Sequence, residues 1–406
     1  MIHVCYCFCD KTGRYAKFAG TSMSSLLANT HSNITVHIIH DNTLTSDNRE
    51  KFFYLAGRHN QIVKFYNVEE LCPSKLAAIK KFFPKEEQLR VTIGVFYKLL
   101  IPQVLPATMN KVIFIDPDTI VNLDIKELWQ TKLGDKALGV VTEESNGVRS
   151  GEYFVLCREG LVEGEDYFNV GVLLMNLNVL RGEEETIMNG IKFRSENPRI
   201  KFLEMPILNY CFSTRTLKLP RKFNRFVREE RRAGIDKLEE KIYHYSNGAS
   251  RNTLKMDDIF NRLWMDHFIK TPWFNEEAMA RLYVQLQRSY NELKDRTLRT
   301  TIIMQGKTRA FFAEPKSMTS MVDIFSIRND EETIPAENED SIQDLIDAMN
   351  RNKGKSIFFI MTPKIQGKNF PFNRLTEAGF VEGTDFIKGW SYLPTIVQSY
   401  HIIQEM

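Results

Sequence analysis

The amino-acid sequence predicts an α/β protein with a doubly wound, mostly parallel sheet and a second, smaller α/β domain. Through the first half of the chain, short β-branched apolar runs alternate with helical segments. The run 112–115 (VIFI) is apolar throughout, which is typical of a parallel strand buried on both faces. After Trp273 the composition changes and a new α/β pattern follows. We therefore expect domains over residues 1–272 and 301–406, joined by a helix over 273–300.

The elements of the first domain follow one another in strand–helix order. We expect strands at 3–9, 35–40, 61–66, 112–115, 137–142 and 167–177, and helices at 18–29, 47–60, 75–83 and 92–101. Such an order favours parallel strands joined by crossover helices.

The first strand carries three cysteines on one face and ends near a polar turn. Cys5, Cys7 and Cys9 would stand about 6–7 Å apart, too far for all three to bind one zinc ion. We interpret them as small buried hydrophobic residues. Asp10 ends the strand and Tyr15 follows in the turn, without a glycine-rich phosphate motif. Side chains such as these two would therefore have to hold a nucleotide base.

The central strand ends in Asp116-Pro117-Asp118, and α/β folds place ligand sites at that end of a buried strand. Residues i and i+2 of an extended backbone point the same way, about 6–7 Å apart. Both carboxylates can therefore reach one hard cation and a diphosphate bound to it. Oxygen ligands suit Mg²⁺ or Mn²⁺. A solvated acidic turn is the alternative for an isolated D-x-D pattern.

Other candidate residues lie on neighbouring elements. Lys98 is on the helix ahead of the central strand, and Glu143 stands at the end of the strand at 137–142. Gly171 lies inside the strand at 167–177, where a glycine indicates a close approach of another group to the backbone. We expect Glu143 at the same edge of the sheet as the D-x-D.

Two later segments are ambiguous. The basic segment 219–232, with Phe223 and Phe226 interleaved, predicts either a wall of the acceptor or phosphate pocket or a solvated helix face. His244 follows a short strand and precedes Gly248, which makes it a candidate third metal ligand. A lone histidine is more often a satisfied core or surface residue, so its assignment depends on the other ligands.

Composition excludes some classes of protein. The chain of 406 residues is 43% hydrophobic and 26% charged, which describes an ordinary globular protein. A net charge of +3 gives no global field that would favour nucleic acid. We expect no signal peptide and no transmembrane segment, because the N-terminus has no basic region and no apolar run is long enough. Six cysteines without framework spacing favour a reduced, cytoplasmic protein.

The last third of the chain predicts an accessory module. Its expected elements are helices at 275–298, 341–350 and 375–379, strands at 301–305, 322–327 and 356–361, and an acidic loop at 329–340. This part of the sequence contains no metal, nucleophile or phosphate signature. We interpret it as a Rossmann-like module for oligomer assembly or for recognition of a partner in a complex.

Four motifs occur in one order: HIIHDNTLT, YKLLIP, FIDPDTIV followed by IKELW, and FNVGVLLMN. With Asp10 and His244, they make residues 1–270 resemble glycosyltransferase family 8. The resemblance implies the GT-A fold and a retaining, metal-dependent transfer of galactose or glucose from a UDP-hexose to a glycan or glycoprotein acceptor. Bacterial lipooligosaccharide galactosyltransferases and glycogenin belong to this family. The overall layout is also similar to family members that extend glycans on bacterial serine-rich-repeat adhesins.

The resemblance implies roles for residues that bind the donor. Asp116, Asp118 and His244 would bind Mn²⁺ (or Mg²⁺). Asp10 and Tyr15 would contact the uridine, and Gly248 and Ser250 would approach the diphosphate. The K-P-W that follows the histidine in the family is missing here, and Arg251 would supply the cation at the diphosphate instead.

The sugar site implied by the resemblance has one departure. Lys98, Glu143 and Asn169 would lie near the donor hexose. The family pattern D-Q-D-x-L-N reads EMPILN here, so Glu204 stands in for the first acid and Met205 replaces a Gln. Methionine offers no polar oxygen beneath the anomeric carbon. We therefore expect front-face attack and not double displacement.

The sequence leaves rival functions open. One is a nucleotide-sugar-binding scaffold, catalytically impaired at Met205-Pro206, that serves a glycosylation complex. Another is a self-glucosylating primer like glycogenin, which would need an acceptor residue on the protein itself. The retained D-x-D and His244 favour the transferase, because a scaffold has no need of all three ligands.

Overall fold

The computed structural model describes residues 1–83, 93–143, 156–157, 159–200, 202–246, 258–303, 306–315 and 331–389. The chain divides into two compact units, Met1–Phe274 and Asn275–Met406. None of the helices within the described ranges combines the length and the apolar character that a membrane span requires.

The described part of the first unit contains a seven-stranded and a three-stranded sheet. Its strands in chain order are β1 (Ile2–Cys7), β2 (Ile34–His40), β3 (Ile62–Asn67), β4 (Lys111–Ile115), β5 (Thr119–Asn122), β6 (Leu138–Thr142), β7 (Phe168–Asn176), β8 (Thr216–Lys218), β9 (Arg225–Phe226) and β10 (Lys241–His244). The large sheet has the order β3-β2-β1-β4-β7-β6-β8. All its pairings are parallel except those of β7, which is antiparallel to both neighbours. The predicted mostly parallel α/β sheet is confirmed.

Helices cover both faces of this sheet. They are α1 (Arg14–Asn29), α2 (Ser46–Arg58), α3 (Val68–Leu71), α4 (Pro73–Phe82), α5 (Tyr97–Val104), α6 (Lys126–Gln130), α7 (Leu177–Leu180), α8 (Glu184–Glu196), α9 (Glu204–Phe212), α10 (Val227–Arg232) and α11 (Ile259–Phe268). The helix expected at 92–101 is a 3₁₀ turn at Ile93–Phe96 that leads into α5.

Alternate residues of the strands enter two separate hydrophobic cores. In β4, Ile113 and Ile115 join the core that contains α1, while Val112 and Phe114 join the core beneath α5. All four side chains are fully buried, which confirms a strand buried on both faces. The cysteines of β1 are buried in the second core, as expected of small hydrophobic residues.

The basic segment 219–232 had two interpretations, a pocket wall and a solvated helix face. Phe223, Arg225 and Phe226 are buried, and the Arg225 guanidinium pairs with the buried Glu230 carboxylate. The Nζ atom of Lys241 lies 2.8 Å from another oxygen of Glu230. A solvated helix face is therefore wrong for residues 223–226, which are buried. It holds for part of α10, where Arg228 and Arg232 are exposed.

The second unit contains a four-stranded parallel sheet in the part that the structure describes. Its elements are α12 (Glu276–Ile303), β11 (Thr308–Ala313), β12 (Glu332–Pro335), α13 (Ser341–Arg351), β13 (Ser356–Ile360), β14 (Lys364–Ile365), β15 (Lys368–Asn369), α14 (Phe372–Glu377) and β16 (Phe386–Lys388). The sheet order is β12-β11-β13-β16, so this unit is also α/β.

Two predictions for this unit are wrong and one is outside the described residues. The strand expected at 301–305 is wrong because residues 301–303 continue α12, whose cooperative propagation overrides a short β-branched run. The acidic loop expected at 329–340 contains β12, which pairs with β11. The strand expected at 322–327 lies outside the described residues.

Candidate metal centre

The three side chains predicted as metal ligands converge at one edge of the large sheet. Asp116, Asp118 and His244 each offer a ligand atom within 4.8 Å of the other two. Nε2 of His244 lies 3.3 Å from Oδ1 of Asp118. Two carboxylate oxygens and one imidazole nitrogen form a donor set that suits a divalent cation such as Mn²⁺ or Zn²⁺.

Backbone pairing brings these residues together from distant parts of the chain. The amide of Asp116, immediately after β4, donates to the carbonyl of Gly171 at 2.7 Å. Strand β10 runs antiparallel to β5, with His244 opposite Thr119. The amide of Tyr245 then donates to the carbonyl of Asp118 at 2.8 Å. His244 is therefore held beside the D-x-D by a strand ladder and not by a loop.

Gly171 provides the space for the His244 ring. A Cβ atom at this position would lie 2.3 Å from Cε1 and 2.6 Å from Nδ1 of His244. The close approach predicted at this glycine is confirmed, and the group that approaches is the imidazole.

Asn224 is a site residue that the sequence interpretation missed. Its side chain is fully buried just before β9. Its Oδ1 lies 2.9 Å from Nδ1 of His244, and its Nδ2 donates to Oδ1 of Asn169 at 2.9 Å. The amide of Gly171 donates to the same Oδ1 at 2.8 Å. The available signal was an asparagine between Phe223 and Phe226, the two aromatic residues of the otherwise basic segment 219–232.

Lys98 occupies the buried side of the D-x-D. Its Nζ lies 3.1 Å from Oδ1 of Asp116, 3.3 Å from Oε1 of Glu204 and 3.4 Å from the carbonyl of Val170. Burial alone would lower the pKa of Lys98, but the two carboxylates outweigh it and raise the pKa above its usual value. The structure therefore places a permanent positive charge between Asp116 and Glu204.

The electrostatics of Asp116 fit a cation site. Burial raises the pKa of Asp116 to about 6, with Lys98 opposing that effect and the neighbouring carboxylate of Asp118 adding to it. A second positive charge near both carboxylates would relieve this cost of burial. The negative charge of the two carboxylates thus favours a cation at the same place as the three candidate ligand atoms.

The sugar-site residues expected from the sequence lie on adjoining elements. Asn169 is in β7, and its Nδ2 lies 3.8 Å from Sδ of the buried Met205. Glu204 begins α9. Glu143 is buried beyond the end of β6, and its amide donates to the carbonyl of Tyr167 at 2.9 Å. The structure thus places Lys98, Asn169 and Glu204 around the candidate metal centre and Glu143 just beyond the end of β6, the strand beside β7.

The structure describes some of the residues expected to bind the nucleotide. Asp10 is buried beyond β1, and its carboxylate accepts from the Ala16 amide at 3.0 Å and from Nδ2 of Asn48 at 2.9 Å. These bonds hold the start of α1, a role that the sequence did not predict. Tyr15 is half-buried in α1. Gly248, Ser250 and Arg251 lie outside the described residues, and their predicted roles stay predictions.

Comparisons with known proteins agree with the sequence resemblance. The sequence model of glycosyltransferase family 8 matches residues 6–273. A Haemophilus influenzae protein whose name assigns it provisionally to the glycosyltransferases is 25% identical over 69% of this chain and 85% of its own length. Lipopolysaccharide 1,2-glucosyltransferase of Escherichia coli is 26% identical over 52% of this chain and 59% of its own length.

Solved structures show the same fold. The galactosyltransferase LgtC, in complex with donor and acceptor sugar analogues, superposes with a TM-score of 0.54 at 18% identity. That match covers 69% of this chain and 99% of the LgtC chain. At this identity the likeness establishes the GT-A architecture of the first unit.

Proposed function

Because the chain belongs to glycosyltransferase family 8, we propose that it is a metal-dependent retaining hexosyltransferase. It moves glucose or galactose from a UDP-hexose to a hydroxyl of a glycan or glycoprotein. The convergence of Asp116, Asp118 and His244 beside the buried Lys98 carries this proposal. It supplies a cation site and a fixed positive charge at the edge of the sheet where a nucleotide-sugar would bind.

Asp116, Asp118 and His244 would hold Mn²⁺ (or Mg²⁺). Once bound, the cation would neutralise charge that develops on the UDP leaving group. Asp10 and Tyr15 would contact the uridine, and Gly248, Arg251 and Ser250 would contact the diphosphate. Each of these assignments extends the family pattern to a residue of this chain.

Lys98 and Glu204 support front-face attack. The Glu204 carboxylate is held by the Lys98 ammonium at 3.3 Å, which weakens it as a nucleophile. Met205 beside it offers only a thioether, already in contact with Asn169. With the Glu204 carboxylate held by Lys98 and only a thioether at Met205, we propose that the acceptor hydroxyl attacks on the face from which UDP departs and that the β-phosphate helps to remove its proton. A sugar adduct on Glu204 detected by mass spectrometry would contradict this step.

Lys98, Asn169 and Glu143 would position the hexose. Holding donor and acceptor in one geometry lowers the entropic part of the barrier. We extend the proposal to a cytoplasmic enzyme that elongates a surface glycan or an adhesin O-glycan. In this proposal the second unit recognises a partner or a second copy of the chain.

The experiment that tests this function is release of UDP by purified protein. UDP-glucose, UDP-galactose and their N-acetyl forms are each supplied with Mn²⁺, and EDTA serves as one control. Asp118→Ala removes a proposed ligand, whereas Asp135→Ala removes an exposed carboxylate outside the site. We expect metal-dependent release with a hexose donor from the wild-type and Asp135→Ala proteins and at least 100-fold less from Asp118→Ala.

Met205 makes a binding scaffold the second candidate. Its thioether lies 3.8 Å from Nδ2 of Asn169, and the family pattern carries a Gln at this place in the sequence. Tight binding of UDP without release from any of the four donors, even with a crude glycoprotein acceptor present, would favour the scaffold over the transferase.

A further inference from the structure

A chain of hydrogen bonds links the metal centre to the sugar-site strand through one buried amide. It runs from the Gly171 amide to Asn169, from Asn169 to Asn224, and from Asn224 to Nδ1 of His244. Each link is 2.8 or 2.9 Å long. Asn224 and Asn169 are 55 positions apart, so the tertiary fold brings them together.

The direction of every bond in this chain follows from the backbone donor. The amide of Gly171 can only donate, so the atom of Asn169 that faces it must be the oxygen. That oxygen must accept from Asn224, so the atom of Asn224 that faces it is Nδ2. Oδ1 of Asn224 then faces His244 and accepts a proton from Nδ1. Turning either amide over would oppose two donors or two acceptors at hydrogen-bond distance.

A fixed Nδ1–H leaves the lone pair on Nε2, the atom that faces Asp118 at 3.3 Å. Only an unprotonated ring nitrogen can bind a metal ion, and the hydrogen bond at the other nitrogen selects which one it is. We propose that Asn224 is a positioning residue that holds His244 in the Nδ1–H tautomer and thereby prepares Nε2 for the cation. The proposal rests on the proposed metal-dependent function.

The same amide also orients the sugar-site residue. Both the Asn224 amide and the Gly171 amide donate to Oδ1 of Asn169, so Nδ2 of Asn169 is the group left to face Met205. Asn169 can therefore donate to a donor-sugar hydroxyl but has its oxygen engaged by protein. Asn224 thus couples the orientation of a metal ligand to that of a sugar-site amide.

Two measurements test this inference without using transfer activity. The first is the ¹⁵N spectrum of the histidine rings in metal-free protein at pH 8, with His244→Gln to identify the His244 signals. We expect His244 as the Nδ1–H tautomer in the wild-type protein. The second is the affinity for Mn²⁺ measured by calorimetry on the full chain.

Asn224→Leu removes both hydrogen bonds at similar volume, while Asn224→Asp keeps an acceptor for Nδ1–H. We expect Asn224→Leu to weaken Mn²⁺ binding about 10- to 100-fold and to populate both tautomers. Asn224→Asp should bind Mn²⁺ within a few-fold of the wild-type protein and keep the Nδ1–H tautomer. Asn122→Leu, on β5 of the same small sheet, loses one hydrogen bond to a backbone carbonyl and serves as the control.

Several results would overturn the inference. One is a wild-type His244 in the Nε2–H form, and this measurement needs no variant if Asn224→Leu does not fold. Another is unchanged Mn²⁺ affinity and tautomer in Asn224→Leu. If the wild-type protein binds no Mn²⁺ while His244 has the expected tautomer, the proposed function fails and the positioning by Asn224 stands.

Discussion

A methyl group on Gly171 would lie 2.3 Å from Cε1 of His244. The His244 ring therefore occupies the space that a side chain on β7 would fill. Strand β7 also supplies the carbonyl that accepts from Asp116. The absence of a side chain at Gly171 thus lets the third candidate ligand, His244 at the end of β10, pack against β7 beside the D-x-D.

Gly171→Ala should displace the His244 ring and weaken Mn²⁺ binding at least 10-fold, because Nε2 can no longer face Asp118. Calorimetric titration with Mn²⁺ measures this directly. Gly57→Ala is the matched control, since Gly57 lies in helix α2 and a Cβ atom there would have no neighbouring atom within 4 Å. That variant should bind Mn²⁺ normally, and equal affinities in both alanine variants would contradict the role assigned to Gly171.

Lys98→Met should destabilise the metal-free protein by about 3 kcal/mol, because it leaves two partly buried carboxylates without their shared cation. Urea unfolding in EDTA measures the free energy. Adding Glu204→Gln removes one of the two unpaired negative charges and should restore about 1 kcal/mol of the free energy of unfolding. A double variant no more stable than Lys98→Met would show that the Lys98–Glu204 contact carries no coupling.

Asn209→Leu should destabilise the first unit by about 2–3 kcal/mol. The buried Asn209 amide bonds to both the amide and the carbonyl of Phe168 at 2.8 Å and to the Met205 carbonyl at 2.9 Å. It thereby joins the start of β7 to α9. Thermal and urea unfolding check the loss, and Asn122→Leu, at a partly exposed position, should cost less than about 1 kcal/mol. An equal loss of unfolding free energy in the two variants would mean that the hydrogen bonds of Asn209 do not stabilise the fold.

Stability should fall in mild acid because of His37. This ring contacts His3 at 3.0 Å and the Tyr66 hydroxyl at 3.1 Å. Burial first, and then the nearby His3 and Lys64, lower the pKa of His37 from 6.5 to about 3. Below pH 6.5 the unfolded chain binds a proton at His37, whereas the folded chain does not. The free energy of unfolding therefore keeps its full value above pH 6.5 and declines as the pH falls toward 3.

At pH 5 the lowered pKa of His37 reduces the free energy of unfolding by about 2 kcal/mol relative to pH 8. In His37→Gln this part of the loss should disappear, while the histidines that do not contact His37 contribute equally to both proteins. Urea unfolding at pH 8, 6 and 5 compares the two. The same decline in both proteins would show that His37 is not the source.

The convergence of the candidate ligands could be predicted in part from the sequence, because the signal of the D-x-D is local. Asp116 and Asp118 directly follow a buried strand, and Gly171 lies inside another. The extended backbone expected for the D-x-D is wrong, because residues 117–118 form a turn between β4 and β5. His244 was only a candidate from its position after a short strand, and its assignment depended on the other ligands, since a short strand ending in histidine has many structural explanations. The fold of the first unit followed from the same alternation of apolar strands and helices.

Asn224 could not be predicted because its role depends on partners that only the tertiary structure supplies. Its two hydrogen bonds reach residues 55 and 20 positions away. The basic residues around it suggested a surface, whereas Arg225 is paired and buried with Glu230. The helical residues 301–303 were missed for a related reason: a short β-branched run does not reveal that a long helix already includes it.

Calorimetric titration of Mn²⁺ into the wild-type and Asp118→Ala proteins, each with and without UDP, tests the central claim most directly. We predict one saturable site in the wild-type protein, tighter in the presence of UDP, and at least a 100-fold loss of affinity in Asp118→Ala. Equal Mn²⁺ affinities in the two proteins would contradict the assignment of Asp116, Asp118 and His244 as the metal centre. Wild-type binding that UDP leaves unchanged would contradict its use in holding the donor.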